Sequence, residues 1–132
     1  GSVVPLFKEL AKTGIIPITH PEMTRFFCSE EQSADSLFYA LQYMEGGEIL
    51  IPKMTVRKIT DIAKEIAPNC VHKTIGLRGF EKVGEKLVSD IELDRLHESD
   101  KYWIITKNKS DQLISPKFQQ LDSNSLLKYQ LN

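Results

Sequence analysis

Met23-Thr24-Arg25-Phe26-Phe27, then Ser29-Glu30-Glu31-Gln32, then Gly46-Gly47-Glu48-Ile49-Leu50-Ile51-Pro52: this stretch decides the fold class. Ser29 stands three residues before Gln32, the reciprocal arrangement in which a hydroxyl and a side-chain amide satisfy free backbone groups at a helix start. Ala34, Leu37, Phe38, Leu41 and Met44 follow at helical spacing, so the pattern predicts a helix with one apolar face. Gly46 and Gly47 supply the backbone freedom a helix end needs. Ile49-Leu50-Ile51 then reads as a short strand buried on both faces and stopped by Pro52. Helix running directly into strand makes a mixed α/β domain, and Arg25, just ahead of both, is the first residue to suspect of chemistry.

Toward the amino terminus, Val3, Val4, Leu6, Phe7, Leu10 and Ala11 recur at intervals of three and four, which predicts an amphipathic helix closed by Gly14. Ile15 to Thr19, broken by Pro17, suits an edge strand or an extended arm, and His20-Pro21 forces a turn. In the other direction, Thr55 can cap a helix with Val56, Ile59, Ile62, Ala63 and Ile66 inward, ended by Ala67-Pro68-Asn69. Val71 to Leu77 alternates as a half-buried strand with Arg78 at its carboxyl end. From Glu81 to Leu96 the pattern turns helical again around Leu87, Val88 and Ile91, with Ser89 and Glu92 as a second capping box. Tyr102 to Thr106 is a strong strand. The organisation predicted is a small sheet packed with three to four helices over residues 1–106, followed by a polar, mostly irregular tail over 107–132.

A chain of 132 residues is the size of one ordinary domain. Its 17 basic and 18 acidic side chains leave a net charge of −1, which provides no broad cationic face; nucleic acid and anionic membrane are not expected partners. No apolar run approaches the ~20 residues needed to cross a bilayer. Cys28 and Cys70 are too sparse for a disulfide scaffold and read as reduced thiols, so a cytoplasmic location is expected. His20, His72 and His97 show no ligand spacing, and no metal is expected. The chain has no glycine-rich dinucleotide turn after a strand, no phosphate loop and no nucleophile elbow.

Arg25 and Arg78 stand out because each lies between apolar or aromatic neighbours, so both guanidinium groups should begin close to the core. Such a group needs a partner. A phosphate or pyrophosphate matches its planar fork of donors, and an internal ion pair with Glu81, Glu85 or Asp35 would serve as well. Glu81-Lys82 and Glu85-Lys86 could serve a ligand's hydroxyls and phosphates or form a solvated face. Cys28, at a helix amino end, suits either a nucleophile or an inert thiol.

Several blocks together resemble one family: Gly-Ser-Val-Val-Pro at 1–5, Pro-Ile-Thr-x-Pro-x-Met-Thr-Arg-Phe at 17–26, Gly-Gly-Glu-Ile-Leu-Ile-Pro-Lys at 46–53, Lys-Ile-Thr-Asp-Ile-Ala-Lys at 58–64 and Ile-Gly-Leu-Arg at 75–78. They are similar to the carboxyl-terminal part of the inverting UDP-N-acetylglucosamine 4,6-dehydratases, extended short-chain dehydrogenases/reductases of bacterial capsule and flagellin-sugar biosynthesis. The resemblance implies that Arg25 and Arg78 contact a nucleotide diphosphate and that Glu81 lies near the ribose. Arg78-Gly79-Phe80-Glu81-Lys82 keeps the family's Arg, Glu and Lys but has Gly-Phe where the family has Pro-Gly. NAD is the cofactor of the full-length family. Its binding turn and the Tyr-x-x-x-Lys catalytic pair belong to an amino-terminal part, and none of Tyr39, Tyr43, Tyr102 and Tyr129 is followed four residues on by lysine.

The resemblance therefore implies a UDP-sugar-binding portion of a dehydratase, catalytically incomplete alone, with no cofactor in this chain. The rival expectation is a non-enzymatic interaction module derived from the same family. In the resembled enzymes the segment matching Glu48 to Pro52 adds to the edge of a large amino-terminal sheet. A homodimer through Glu48 to Pro52 is therefore expected here, against a monomer whose strands at Val71–Leu77 and Tyr102–Thr106 cover that edge.

Overall fold

The computed structural model describes residues 3–108 and 119–120. In chain order the elements are α1 (Val3–Ala11), β1 (Ile15–Ile18), β2 (Thr24–Phe27), α2 (Glu30–Tyr43), β3 (Ile49–Pro52), β4 (Thr55–Lys58), α3 (Ile59–Ile66), β5 (Val71–Thr74), a 3-10 turn (Leu93–Arg95), β6 (Leu96–Glu98), β7 (Tyr102–Ile105) and β8 (Gln119–Gln120). The mixed α/β class is as predicted, but the strands form three small sheets rather than one. They belong to two compact units, 1–27 with 56–85 and 28–55 with 86–132.

In the first unit β1 and β5 run parallel, Ile15 opposite Val71 through Ile18 opposite Thr74. A parallel pair needs a long crossover, and α3 lies on the chain that joins them. Ile16 and Ile18 point the same way from β1 and are buried with Phe7 of α1, Met23, and Ile59, Ile62, Ala63 and Ala67 of α3 and its end. Gly14, at φ +76°, closes α1 and accepts the amide of Val71 at 2.9 Å.

Two expected boundaries in this unit are corrected. Thr55 does not cap a helix, because Thr55–Lys58, opened by the β-branched Thr55 and Val56, is a strand paired with β2. The helix starts at Ile59, whose N–H donates to the Met23 carbonyl at 2.8 Å. The strand predicted to reach Leu77 stops at Thr74. Ile75 still donates to the Ile18 carbonyl at 2.9 Å, and Gly76 at φ +87° then turns the chain away.

The second unit holds a four-stranded antiparallel sheet in the order β3-β7-β6-β8. Ile51, Leu96, Trp103 and Ile105 form its core, with Met54, Leu87, Val88 and Leu93 packed alongside. β3 is not buried on both faces as expected. Ile51 is buried, Leu50 on the opposite face is half-buried, and Ile49, on the same face as Ile51 but at the start of the strand, is half exposed. The predicted capping box at Ser29 and Gln32 is formed on both sides, at 3.0 Å each.

No α-helix forms over Glu81–Leu96. The Val83 carbonyl accepts from the Thr24 amide at 2.9 Å and so joins a neighbouring strand rather than a helical ladder, and Gly84 weakens helix propensity between two valine-bearing segments. The Ser89–Glu92 contact is nonetheless made, with the Ser89 amide donating to Glu92 at 2.9 Å, and it leads into the 3-10 turn. Hydrogen bonds from Ser89 hold the Glu92 carboxyl below its usual range. In the predicted tail, Gln119 and Gln120 pair with Glu98 and His97, and its residues 109–118 and 121–132 lie outside the described residues.

His97 on β6 is only 8% exposed, and burial lowers its imidazole from the usual 6.5. The unfolded chain therefore takes up a proton there first, so stability is full above about 6.5 and falls as the pH drops through the unfolded value toward the folded one. Urea unfolding of the wild type should lose stability as the pH falls below about 6.5, the unfolded value, and His97→Gln should flatten that slope. Equal slopes for the two proteins would remove His97 as the cause.

Candidate functional site

Arg25 sits in the middle of β2, its side chain 28% exposed. Nη1 donates to the Thr24 carbonyl at 2.7 Å and to the Val83 carbonyl at 3.4 Å, and Nη2 lies 3.9 Å from Glu85 Oε1. The strand and its arginine thus clasp the segment 83–85. Both hydrogen bonds to described residues run through Nη1, which leaves the Nε and Nη2 hydrogens for an oxyanion. Nearby on the same sheet, Arg57 stacks over Phe27 at 5.8 Å and pairs with Glu65. Lys58 pairs with Glu22 at 2.7 Å, and that hydrogen bond holds the Glu22 carboxyl below its usual range and raises the lysine.

Arg78 is not near the core, contrary to expectation: its side chain is 72% exposed, because the flanking Ile75 and Leu77 are themselves about half exposed and enclose nothing. It opens a tight turn in which Glu81 N–H donates to the Arg78 carbonyl at 2.9 Å. Glu81 Oε2 accepts the Arg78 amide at 2.8 Å, and Oε1 lies 4.0 Å from Arg78 Nε. Gly79 takes φ +46°, a conformation proline cannot adopt. Where the resembled family has Pro-Gly, this chain has Gly-Phe, so the permissive residue has moved one position forward and the turn still closes. Phe80 is left fully exposed at its tip.

Two of the three carboxylates the sequence offered are thus at hand, Glu85 for Arg25 and Glu81 for Arg78. At 3.9 and 4.0 Å with exposed partners, such pairs contribute about 0–1 kcal/mol. Lys86 pairs instead with Asp90 at 3.1 Å on the surface.

Cys28 is exposed, with Sγ 3.4 Å from Ser33 Oγ, and Cys70 donates to the Ala11 carbonyl at 3.4 Å; both are free thiols. Among the described residues no group of three or more His, Cys, Asp or Glu could hold a metal ion. A dinucleotide finds no fit there either: β1 runs into Thr19-His20-Pro21 and β5 into Ile75-Gly76-Leu77-Arg78, and neither leads through a glycine-rich turn onto a helix. The sequence reading missed a cleft of about 670 Å3 in the second unit, lined by Phe38, Tyr39, Tyr43 and Tyr102 with Asp35 and Asp100. The signal was present in Tyr39 and Tyr43, four residues apart on one helix, whose rings lie 4.7 Å apart.

The family described as polysaccharide biosynthesis protein matches residues 1–107, and the chain belongs to it. Within that class the chain is 43% identical over 108 residues to the UDP-N-acetylglucosamine 4,6-dehydratase (inverting) of Campylobacter jejuni subsp. jejuni serotype O:2, covering 80% of this chain and 32% of that protein. It is 34% identical over 116 residues to the UDP-glucose 4-epimerase of Rickettsia bellii, covering 84% of this chain and 34% of the relative. The X-ray structure of Pen from Bacillus thuringiensis superposes with a TM-score of 0.81 at 27% identity, covering 92% of this chain and 39% of that one. The resemblance read from the sequence is therefore confirmed: the chain is dehydratase-like and matches a portion of its relatives. It spans about a third of the length of the curated relatives it matches.

Proposed function

We propose that this chain is the UDP-sugar-binding portion of a nucleotide-sugar 4,6-dehydratase of bacterial surface-polysaccharide or flagellin-sugar biosynthesis, cytoplasmic and catalytically incomplete alone. The observation that carries the reading is that one short segment, 78–85, organises all three expected residues. Val83 and Glu85 hold Arg25, while Arg78 and Glu81 brace each other across a turn. A pyrophosphate would offer both guanidinium groups charge-assisted bonds of about 2.7–2.9 Å, shorter and stronger than the long contacts they make to carboxylates. Glu81 Oε1 can accept a ribose hydroxyl while Oε2 keeps the turn closed. Both named relatives act on UDP-sugars by their names, so the nucleotide is the common element, and the higher identity favours the dehydratase over the epimerase. No helix among the described residues is long and apolar enough to cross a membrane.

Calorimetry with UDP and with UDP-N-acetylglucosamine tests this reading. The wild type should bind both, and Arg25→Met should weaken binding about 10- to 100-fold, the worth of one charged hydrogen-bonding group. No heat and no thermal shift with millimolar ligand would mean that the chain holds no working half-site. With NAD added, no 4-keto product should form, and finding one would refute catalytic incompleteness. The interaction-module reading predicts indifference to both nucleotides.

A further inference from the structure

Phe80 is fully exposed, more so than any other large apolar side chain among the described residues, yet the turn that carries it is fixed from both ends. The Glu81 amide donates to the Arg78 carbonyl at 2.9 Å, and the Arg78 amide donates to Glu81 Oε2 at 2.8 Å. Gly79, at φ +46°, makes the bend, and a Cβ built there would meet nothing within 4 Å beyond its neighbours in the chain. No ring and no cation among the described residues stacks on Phe80. Its backbone is therefore held in place while the faces of the ring stay open.

Scattered exposed apolar residues are ordinary on a protein surface, and it is the neighbours of Phe80 that set it apart. It lies between Arg78, whose side chain is 72% exposed, and Glu81. Two chain steps put its Cα at most about 7.6 Å from that of Arg78, a separation that one ribose spans between a diphosphate and its base. A diphosphate oxygen on the Arg78 guanidinium and a ribose hydroxyl on Glu81 Oε1 would thus leave the base of the same nucleotide beside the phenyl ring. Every base has a π-face that an aromatic side chain can stack on, and a ring already positioned by its turn loses little freedom in doing so. Phe80 stands where the resembled family has glycine, so no role of the family's residue carries over to it. From this arrangement we propose that Phe80 is a nucleobase platform, which stacks on the uracil of a bound UDP-sugar and adds affinity at the base end of the site. A phenyl face has no donor or acceptor, so it strengthens binding without reading the edge of the base. This role rests on Arg25 and Arg78 holding the diphosphate, and it is separable from them because pyrophosphate has no base.

The test is calorimetry with UDP, UDP-N-acetylglucosamine and inorganic pyrophosphate on the wild type, Phe80→Ala and Phe80→Tyr. Phe80→Ala should weaken UDP and UDP-N-acetylglucosamine about tenfold and leave pyrophosphate unchanged. Phe80→Tyr keeps the ring and should hold UDP within about threefold of the wild type. Thermal unfolding should be the same for all three proteins, because the ring buries nothing in the fold. UDP bound equally by the wild type and Phe80→Ala overturns the platform and leaves the diphosphate reading standing. A loss of pyrophosphate binding as large as that of UDP also overturns it, because the substitution would then act on the turn and not on a base. So does a loss seen with UDP-N-acetylglucosamine but not with UDP, which would put the ring against the sugar. A wild type that binds neither UDP nor pyrophosphate removes the diphosphate reading and the platform together.

Discussion

Ile62→Ala will destabilise the first unit by about 2–5 kcal/mol, the range for removing most of a buried isoleucine and leaving a cavity. Ile62 is 1% exposed and packs in one cluster with Phe7, Ile16, Ile18 and Met23. That cluster is close-packed from α1, β1 and α3 together, so the neighbours cannot all collapse into the space. The effect should reach the candidate site, because Met23 belongs to the same cluster and immediately precedes Thr24-Arg25, and its carbonyl accepts the first amide of α3 at 2.8 Å. Thermal unfolding followed by circular dichroism should show a fall of at least about 8 °C, taking roughly 4 °C per kcal/mol for a domain of this size. Leu37→Ala, on the exposed face of α2, should cost within about 0.5 kcal/mol in the same measurement. Comparable losses for the two variants would refute the assignment of Ile62 to the core.

Where local chemistry sets the element, the sequence was a good guide. The Ser29 and Gln32 capping box, the closing glycine at 14 and the aromatic and β-branched run of β7 each depend on neighbours within a few residues, and each is found as read. The failures came where a distant partner decides. Thr55–Lys58 can begin a helix or pair as a strand, and β2, some thirty residues earlier, selects the strand. The helix expected after Glu81 was lost because the Val83 carbonyl is taken by Thr24, a contact no window of the sequence contains. At the site the pattern places Arg78 wrongly: isoleucine and leucine flank it in the sequence, yet the tertiary arrangement leaves both about half exposed. The direction of α2 was illegible for a different reason. Periodicity shows that a helix has an apolar face but not whether its own chain covers it.

The free edge of β3 is expected to bring two copies of the chain together. β7 pairs with one edge of this strand, Ile49 opposite Ile105 through Pro52 opposite Tyr102, and the strand order leaves β3 at the end of its sheet. Of the two strands that could have covered it, Tyr102–Ile105 does so on one side only, and Val71–Thr74 is committed to β1. Among the described residues no strand pairs the other edge. Glu48 accepts from the amides of Glu45 and Gly46 at 3.1 and 2.7 Å, which fixes the approach to the strand without covering it. An open edge carrying isoleucine and leucine recruits another chain, and two copies related by a two-fold axis would pair β3 with β3. We propose this homodimer through Glu48 to Pro52. Each apolar side chain it buries completely would contribute about 1.5–3 kcal/mol before the cost of association is set against it. Leu50 is half-buried, and a lysine there can extend its ammonium group to water in a monomer, whereas in a two-fold β3 pair it would set like charges on neighbouring strands. Light scattering at high micromolar concentration should therefore give twice the chain mass for the wild type and the monomer mass for Leu50→Lys, with the Trp103 emission of the second unit unchanged. A wild type that stays monomeric at that concentration, with a mass Leu50→Lys does not alter, would leave the free edge of β3 without this role.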